Sequence, residues 1–173
     1  MSATVISILH WNAIPVFVDI DKNTFNIDTN KIKKKITSKT KLIILVDIFG
    51  NPADYRKIIK IAKKYNLKII EDAAEGLGSY YNKKHVGTFG DLGVISFNGN
   101  KIITTGGGGV VITNNKKLYE KVKHLSSTAK VFHKYEFIHD QVGFNYRMNN
   151  LNSSFGVGQI IKIRKFINNK RNL

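Results

Sequence analysis

Three short apolar runs mark the first seventy residues, with polar stretches between them. They are Val16-Phe17-Val18-Asp19-Ile20, Leu42-Ile43-Ile44-Leu45-Val46-Asp47 and Leu67-Lys68-Ile69-Ile70-Glu71-Asp72. Each is rich in β-branched residues and nearly continuous, the pattern of a strand covered on both faces. Residues 29–36 place Ile32 and Ile36 four apart, at helical spacing. Residues 54–65 gather Ile58, Ile59, Ile61 and Ala62 on one side and lysines on the other, the stripe of an amphipathic helix. Asp54, just after Asn51-Pro52, is its expected N-cap. Strand, helix, strand, helix, strand predicts an α/β fold with a mostly parallel sheet, flanking helices and right-handed crossovers.

The second half has a different texture. Residues 94–97 and 110–113 read as short strands on either side of a glycine-rich segment. Residues 116–127 read as a helix with Leu118, Val122 and Leu125 on one face. Residues 128–140 are polar, aromatic and irregular, and residues 150–167 read as a further helix with a basic second half. No repeat or linker divides the chain. Both ends are abrupt: the first fourteen residues resemble the interior of an α/β unit, and the last helix has no stop signal. The expectation is a segment of a longer protein.

Composition narrows the possibilities. A length of 173 residues with 42% hydrophobic positions suits one ordinary domain with a real core. The absence of cysteine excludes a disulfide framework, a thiolate metal site and a cysteine nucleophile; no metal is expected. No apolar run approaches the ~20 residues of a membrane span, and no secretory signal is visible, so the expected location is the cytoplasm, with no membrane partner. The net charge of +16 raises the question of nucleic acid. Its cations are mostly scattered lysines, however, and arginine, the residue suited to base readout, stands only at Arg56, Arg147, Arg164 and Arg171. No nucleic-acid partner is expected.

The residues with chemistry follow the strands. Asp72 closes the third run, and ligands of open α/β sheets bind beyond the carboxyl ends of strands; equally, such an Asp caps a turn. Ser96-Phe97-Asn98-Gly99-Asn100-Lys101 follows a later strand and leads to Gly106-Gly107-Gly108-Gly109. A lysine there is a potential amine nucleophile if desolvated, or an ordinary surface lysine. The glycine run is neither a Walker loop nor a dinucleotide fingerprint. Taken together, a strand-end acid, a serine and a lysine five residues later suit pyridoxal phosphate (PLP). That cofactor needs an amine for its aldehyde, a carboxylate for its ring nitrogen and donors for its phosphate.

Four stretches carry a closer resemblance. They are Ala13–Asp21 (with Asn12 where a glycine is usual), Phe49–Asp54, the sequence from Glu71-Asp72-Ala73-Ala74-Glu75 through Gly90-Asp91 to Ser96–Gly109, and Gly143–Asn152. In this order they resemble the DegT-type nucleotide-sugar aminotransferases, a branch of the fold-type I PLP enzymes. The resemblance implies that residues 1–173 are part of the PLP-binding large domain, with its N-terminal phosphate loop and its small C-terminal domain outside them. Such a piece is expected to bind the cofactor poorly by itself. By position, Lys101 is implied as the Schiff-base lysine and proton carrier, and Asp72 as partner of the pyridinium nitrogen. Glu75 is implied near the cofactor's phenolic oxygen, where many members have Gln, and Ser96 as a phosphate donor. Asn145 is implied to reach the phosphate of a neighbouring subunit in a homodimer. Asp47 replaces the usual His after the second run and is expected to alter the edge of the site or its substrate contacts.

The implied activity is transfer of an amino group, from glutamate, to a nucleotide-linked 4-keto-6-deoxy sugar for surface-glycan synthesis. Glu75 and Asn98-Gly99-Asn100 lean toward a UDP-N-acetyl sugar, with a GDP-perosamine-type substrate as the nearer alternative. The contrasting reading is a truncated, inactive remnant or interaction module.

Overall fold

The computed structural model describes residues 2–173; residue 1, the first position of the expected domain, lies outside the described residues. The described chain forms two compact units, one running to Ile95 and the other covering Ser96–Leu173.

In the first unit, helix α1 (Ser2–Leu9) leads into an extended stretch instead of the first expected strand. Residues 13–19 have no ladder partner among the described residues, and Ile20 makes only an isolated bridge to Ile27. Ile14 is 86% exposed and Phe17 67%. Extended backbone becomes a strand only when a neighbour accepts its hydrogen bonds, so apolar pattern alone does not make one here. The helix expected over residues 29–36 is also shorter. Asp28 caps α2 (Thr29–Ile32) by accepting from the Asn30 N–H at 3.0 Å. A single 3-10 turn, Lys33–Lys35, then ends where β-branched Ile36 turns extended.

The next two runs do become strands. β1 (Leu42–Val46) and β2 (Lys68–Asp72) pair in parallel over their whole length, from Leu42 opposite Lys68 to Val46 opposite Asp72. Between them runs α3 (Tyr55–Tyr65). Asp54 caps it by accepting from the Lys57 N–H at 3.2 Å, and Asn66 closes it in the left-handed conformation that asparagine tolerates. Tyr55, Ile58, Ile61 and Ala62 are buried, as are Ile43, Leu45 and Ile69 on alternate positions of the strands. The other strand positions, Ile44, Val46 and Ile70, are half-buried, so the two faces are covered unequally.

After β2 the chain makes a small hairpin, β3 (Tyr80–Tyr81) against β4 (Lys84–His85). Its corner, Asn82-Lys83, has positive φ at both positions (47° and 65°), the geometry of a tight hairpin turn. β5 (Leu92–Ser96) then joins β2 in parallel, with Asp72 opposite Val94. The fold of this unit is therefore α/β around parallel strands, as the alternating pattern predicts.

In the second unit, β6 (Gly109–Ile112) precedes α4 (Lys116–Ser126), capped by Asn115. The irregular region contains one short hairpin, β7 (Lys130–Val131) with β8 (Ile138–His139). The last expected helix is two: α5 (Asn150–Ile160), capped by Asn149, and α6 (Ile163–Arg171). The break falls where the Lys162 N–H turns to the Gln159 carbonyl at 2.9 Å, a tightened i to i−3 bond.

Glycines allow the closest approaches in the first unit. A Cβ on Gly93 would lie 2.0 Å from the Gly87 carbonyl oxygen, whereas one on Gly99 would meet nothing within 4 Å. We expect Gly93→Ala to lower unfolding stability by about 3 kcal/mol, the upper range for overpacking, and Gly99→Ala to change it by less than about 0.5 kcal/mol. Urea midpoints of the two variants check this; equal midpoints would contradict the close approach.

Candidate active site

The parallel strands deliver acids to their carboxyl ends. Asp72 is the last residue of β2 and is half-buried. One carboxylate oxygen accepts from the Thr4 hydroxyl at 2.6 Å and the other from the Ala74 N–H at 3.3 Å. It thus caps the turn that follows and at the same time stays an acceptor oriented from both sides. Glu71, one residue earlier, points the other way along the pleat and is fully buried. It accepts from the Gly87 N–H at 2.6 Å and from the Gly90 N–H, fixing the loop before β5.

Asp47 follows β1 and is also fully buried. It accepts from the Ala53 N–H at 2.9 Å and from the Tyr55 hydroxyl at 2.5 Å. Its two oxygens are engaged inside the first unit, bracing the segment between β1 and α3. The Tyr55 ring in turn stacks on Phe89, with centroids 4.2 Å apart. Burial pushes the Asp47 carboxyl up to about 6, opposed by the bonds from Tyr55 and Ala53 and reinforced by Glu71 and Asp72.

Glu75 lies in the turn after Asp72. Its carboxylate accepts from the Phe49 N–H at 2.8 Å. Phe49 itself is in the left-handed region, with φ 56° and ψ 21°.

Ser96, Lys101 and Asn145 belong to the second unit. Ser96 ends β5, and its hydroxyl oxygen accepts from the Asn98 N–H at 3.2 Å, which leaves its proton to donate. The Lys101 N–H donates to the Asn98 carbonyl at 3.0 Å, closing a turn, and Lys101 is half-buried. The following segment folds back: the Thr105 N–H bonds the Phe97 carbonyl at 3.0 Å and the Phe97 N–H bonds the Gly108 carbonyl at 2.9 Å. Gly106 and Gly108 have φ of 79° and 103°, which explains why glycine is needed there. Helix α5 locks the return. The Gln159 amide donates to the Thr104 carbonyl at 2.7 Å and accepts from the Thr104 N–H at 3.0 Å, and Asn152 donates to the Thr105 carbonyl at 2.7 Å. Asn145 is exposed, held through its backbone bridge to Ser127.

Three contributors escape a reading of the sequence. Thr4 reaches Asp72 from 68 positions away, and the Phe49 N–H reaches Glu75 from 26 away; no local pattern announces either. Gln159 carries no motif, although its place two turns past Asn152 on a helix gives the spacing for a second contact on the same face.

Parallel strands ending in acids and a hydroxyl, with a glycine-bounded lysine turn after one of them, place the chain among the parallel α/β proteins. It belongs to the DegT/DnrJ/EryC1/StrS aminotransferase family, which it matches over residues 1–173. Members of this family are sugar aminotransferases. The chain is 44% identical over 171 residues to the GDP-perosamine synthase of Escherichia coli O157:H7, a match that covers 99% of this chain and 47% of that protein. Helicobacter pylori PseC, an aminotransferase of pseudaminic acid biosynthesis, is similar in structure with a TM-score of 0.90 and 36% identity, over 94% of this chain and 44% of that one. Spr1654 of Streptococcus pneumoniae in its PLP-form gives a TM-score of 0.87 at 27% identity, over 95% and 47%. The chain spans about half the length of the curated relatives it matches. Among the described residues no helix is long and apolar enough to cross a membrane.

The elevated Asp47 carboxyl makes stability depend on pH. Its folded value, about 6, lies above the unfolded value of 3.8, so the folded state binds the extra proton in between. The associated stability is complete below about pH 4 and is lost as pH rises to about 6, a change of about 3 kcal/mol. Asp47→Asn keeps an acceptor for Ala53 and removes the titration. The difference in urea midpoint between wild type and variant should fall across this window and level off above it; a flat difference would show that Asp47 does not titrate there.

Proposed function

We propose that the protein is a PLP-dependent aminotransferase that moves an amino group from glutamate to the 4-keto carbon of a nucleotide-linked 4-keto-6-deoxy sugar. The observation that carries this reading is the family match over the whole chain, with Lys101 on the glycine-bounded turn after a strand ending in Ser96. The donor set suits the cofactor: an amine on an ordered turn, a carboxylate oriented from two sides, and a serine hydroxyl with its proton to give. When bound, PLP supplies an aldehyde that takes up the amino group and a protonated ring that draws electrons from the adjacent carbon.

In this reading Lys101 Nζ holds the cofactor covalently, takes the proton from Cα of glutamate, and delivers one to C4 of the sugar. Asp72 accepts from the ring nitrogen and keeps it protonated. Thr4 and the Ala74 N–H hold that carboxylate in place. Ser96 donates to the phosphate, Glu75 lies near the phenolic oxygen, and Asn145 serves a neighbouring subunit of a homodimer. The similarity to GDP-perosamine synthases favours a GDP-linked sugar, and that to PseC keeps an alternative sugar nucleotide in view. The product would enter amino-sugar and surface-glycan synthesis.

The test begins with an absorbance scan, in the presence of PLP, of the longer protein of which residues 1–173 are expected to be a segment. We expect a visible band that borohydride bleaches in wild type and that Lys101→Ala lacks, with turnover falling by about 10³-fold or more. A panel of GDP- and UDP-linked keto sugars with glutamate then identifies the acceptor. A borohydride-sensitive band that survives in the variant removes Lys101 from its role. Binding of PLP without turnover of any keto sugar favours a non-catalytic remnant.

A further inference from the structure

The segment from Asp47 to Ala53, between β1 and α3, holds a conformation that its sequence disfavours. Phe49 has φ 56° and ψ 21°, a region costly for a side chain with a Cβ. Its ring is 81% exposed, so burial does not compensate. Such a conformation persists only when its surroundings over-determine it, and they do. Asp47 holds the Ala53 N–H at 2.9 Å. Asn26, itself buried, accepts from the Ile48 N–H at 3.2 Å and donates to the Asn51 carbonyl at 3.0 Å. Gly50, at φ 74°, lies so close to the Glu75 backbone that a Cβ would come within 2.8 Å of its carbonyl oxygen. The Phe49 N–H donates to the Glu75 carboxylate at 2.8 Å. These braces hold the Phe49 backbone against the Glu75 carboxylate through its N–H and leave its ring uncovered.

We propose that Phe49 is a specificity-determining residue whose ring packs on the C–H face of the substrate's deoxy sugar while its N–H positions Glu75. This rests on the proposed function, which puts Glu75 beside the reacting centre. The chemistry selects the sugar over the rest of the substrate. A diphosphate is repelled by the neighbouring carboxylate, whereas an uncharged 6-deoxy ring, with its methyl group and axial hydrogens, is the part an aromatic face attracts. The braced backbone fixes where the ring is attached, and the two side-chain torsions of phenylalanine leave little freedom to lose on contact.

Phe49→Gly tests this, because glycine adopts the left-handed conformation readily and keeps the N–H that Glu75 uses. With GDP- and UDP-linked 4-keto-6-deoxyhexoses as substrates, we expect KM for the sugar nucleotide to rise about tenfold, the loss of one buried apolar contact. The KM for glutamate, the bound-cofactor absorbance and inhibition by free GDP or UDP should stay within twofold. Phe49→Tyr should restore the sugar KM. The melting temperature of Phe49→Gly should not fall. A sugar KM within twofold of wild type overturns the proposal while leaving the aminotransferase reading intact. So does a change in sedimentation, which would make the ring a contact between subunits. A wild-type protein that turns over no keto sugar removes both.

Discussion

Carboxylates at the ends of adjacent parallel strands bind the N–H groups of the loops that follow, and this arrangement organises the first unit. Asp47 after β1 takes the Ala53 N–H and, in addition, the Tyr55 hydroxyl; Glu71 in β2 takes the Gly87 and Gly90 N–H groups, and Asp72 takes that of Ala74. A buried backbone N–H without an acceptor costs about as much as a lost hydrogen bond. Three loops that would otherwise carry such groups are instead tied to the sheet. The acids that appear in the sequence as a chemical cluster therefore divide their work. Two are sealed into the fold, and Asp72 alone combines a structural bond with partial exposure.

The same economy governs the lysine turn. Its backbone is fixed by carbonyls of its own segment and by amide side chains of α5, so Lys101 is carried on an ordered support rather than on a free loop. The glycines around it are not interchangeable. Gly106 and Gly108 supply left-handed backbone, whereas Gly99 and Gly107 leave open space beside the turn. The order is that of the backbone; the lysine side chain keeps its own rotamer freedom.

Much of this was legible in the sequence, and the rest was not for definite reasons. β1, α3 with its Asp54 cap and β2 follow their periodicity within a residue or so, because their apolar positions find a core on one side, and α4 does so with its apolar side half-buried and its start capped by Asn115. The run at Val16–Ile20 has the composition of a strand but no ladder, since pairing is a property of the neighbour and not of the run. The split of the last helix at Lys162 and the Asn82-Lys83 hairpin depend on single backbone angles that composition reports weakly. Of the candidate site, motif spacing singles out Asp72, Glu75, Ser96, Lys101 and Asn145, whose roles belong to the proposed function, whereas Thr4, Gln159 and the Phe49 N–H act over long sequence separations. Asp47 was visible as a departure from the family pattern, but its role as an interior brace required the Tyr55 hydroxyl to be seen beside it.

The extended stretch before Ile20 has a consequence for handling the molecule. Val16-Phe17-Val18 is uncharged, β-prone and open along its backbone, the composition that recruits like strands into cross-β stacks. It is bracketed by Pro15, which has no N–H to offer, and by Asp19, whose carboxylate is bonded to Lys31 at 2.9 Å. These two act as gatekeepers, limiting the sticky core to three residues. Replacing either would lengthen it and invite self-association.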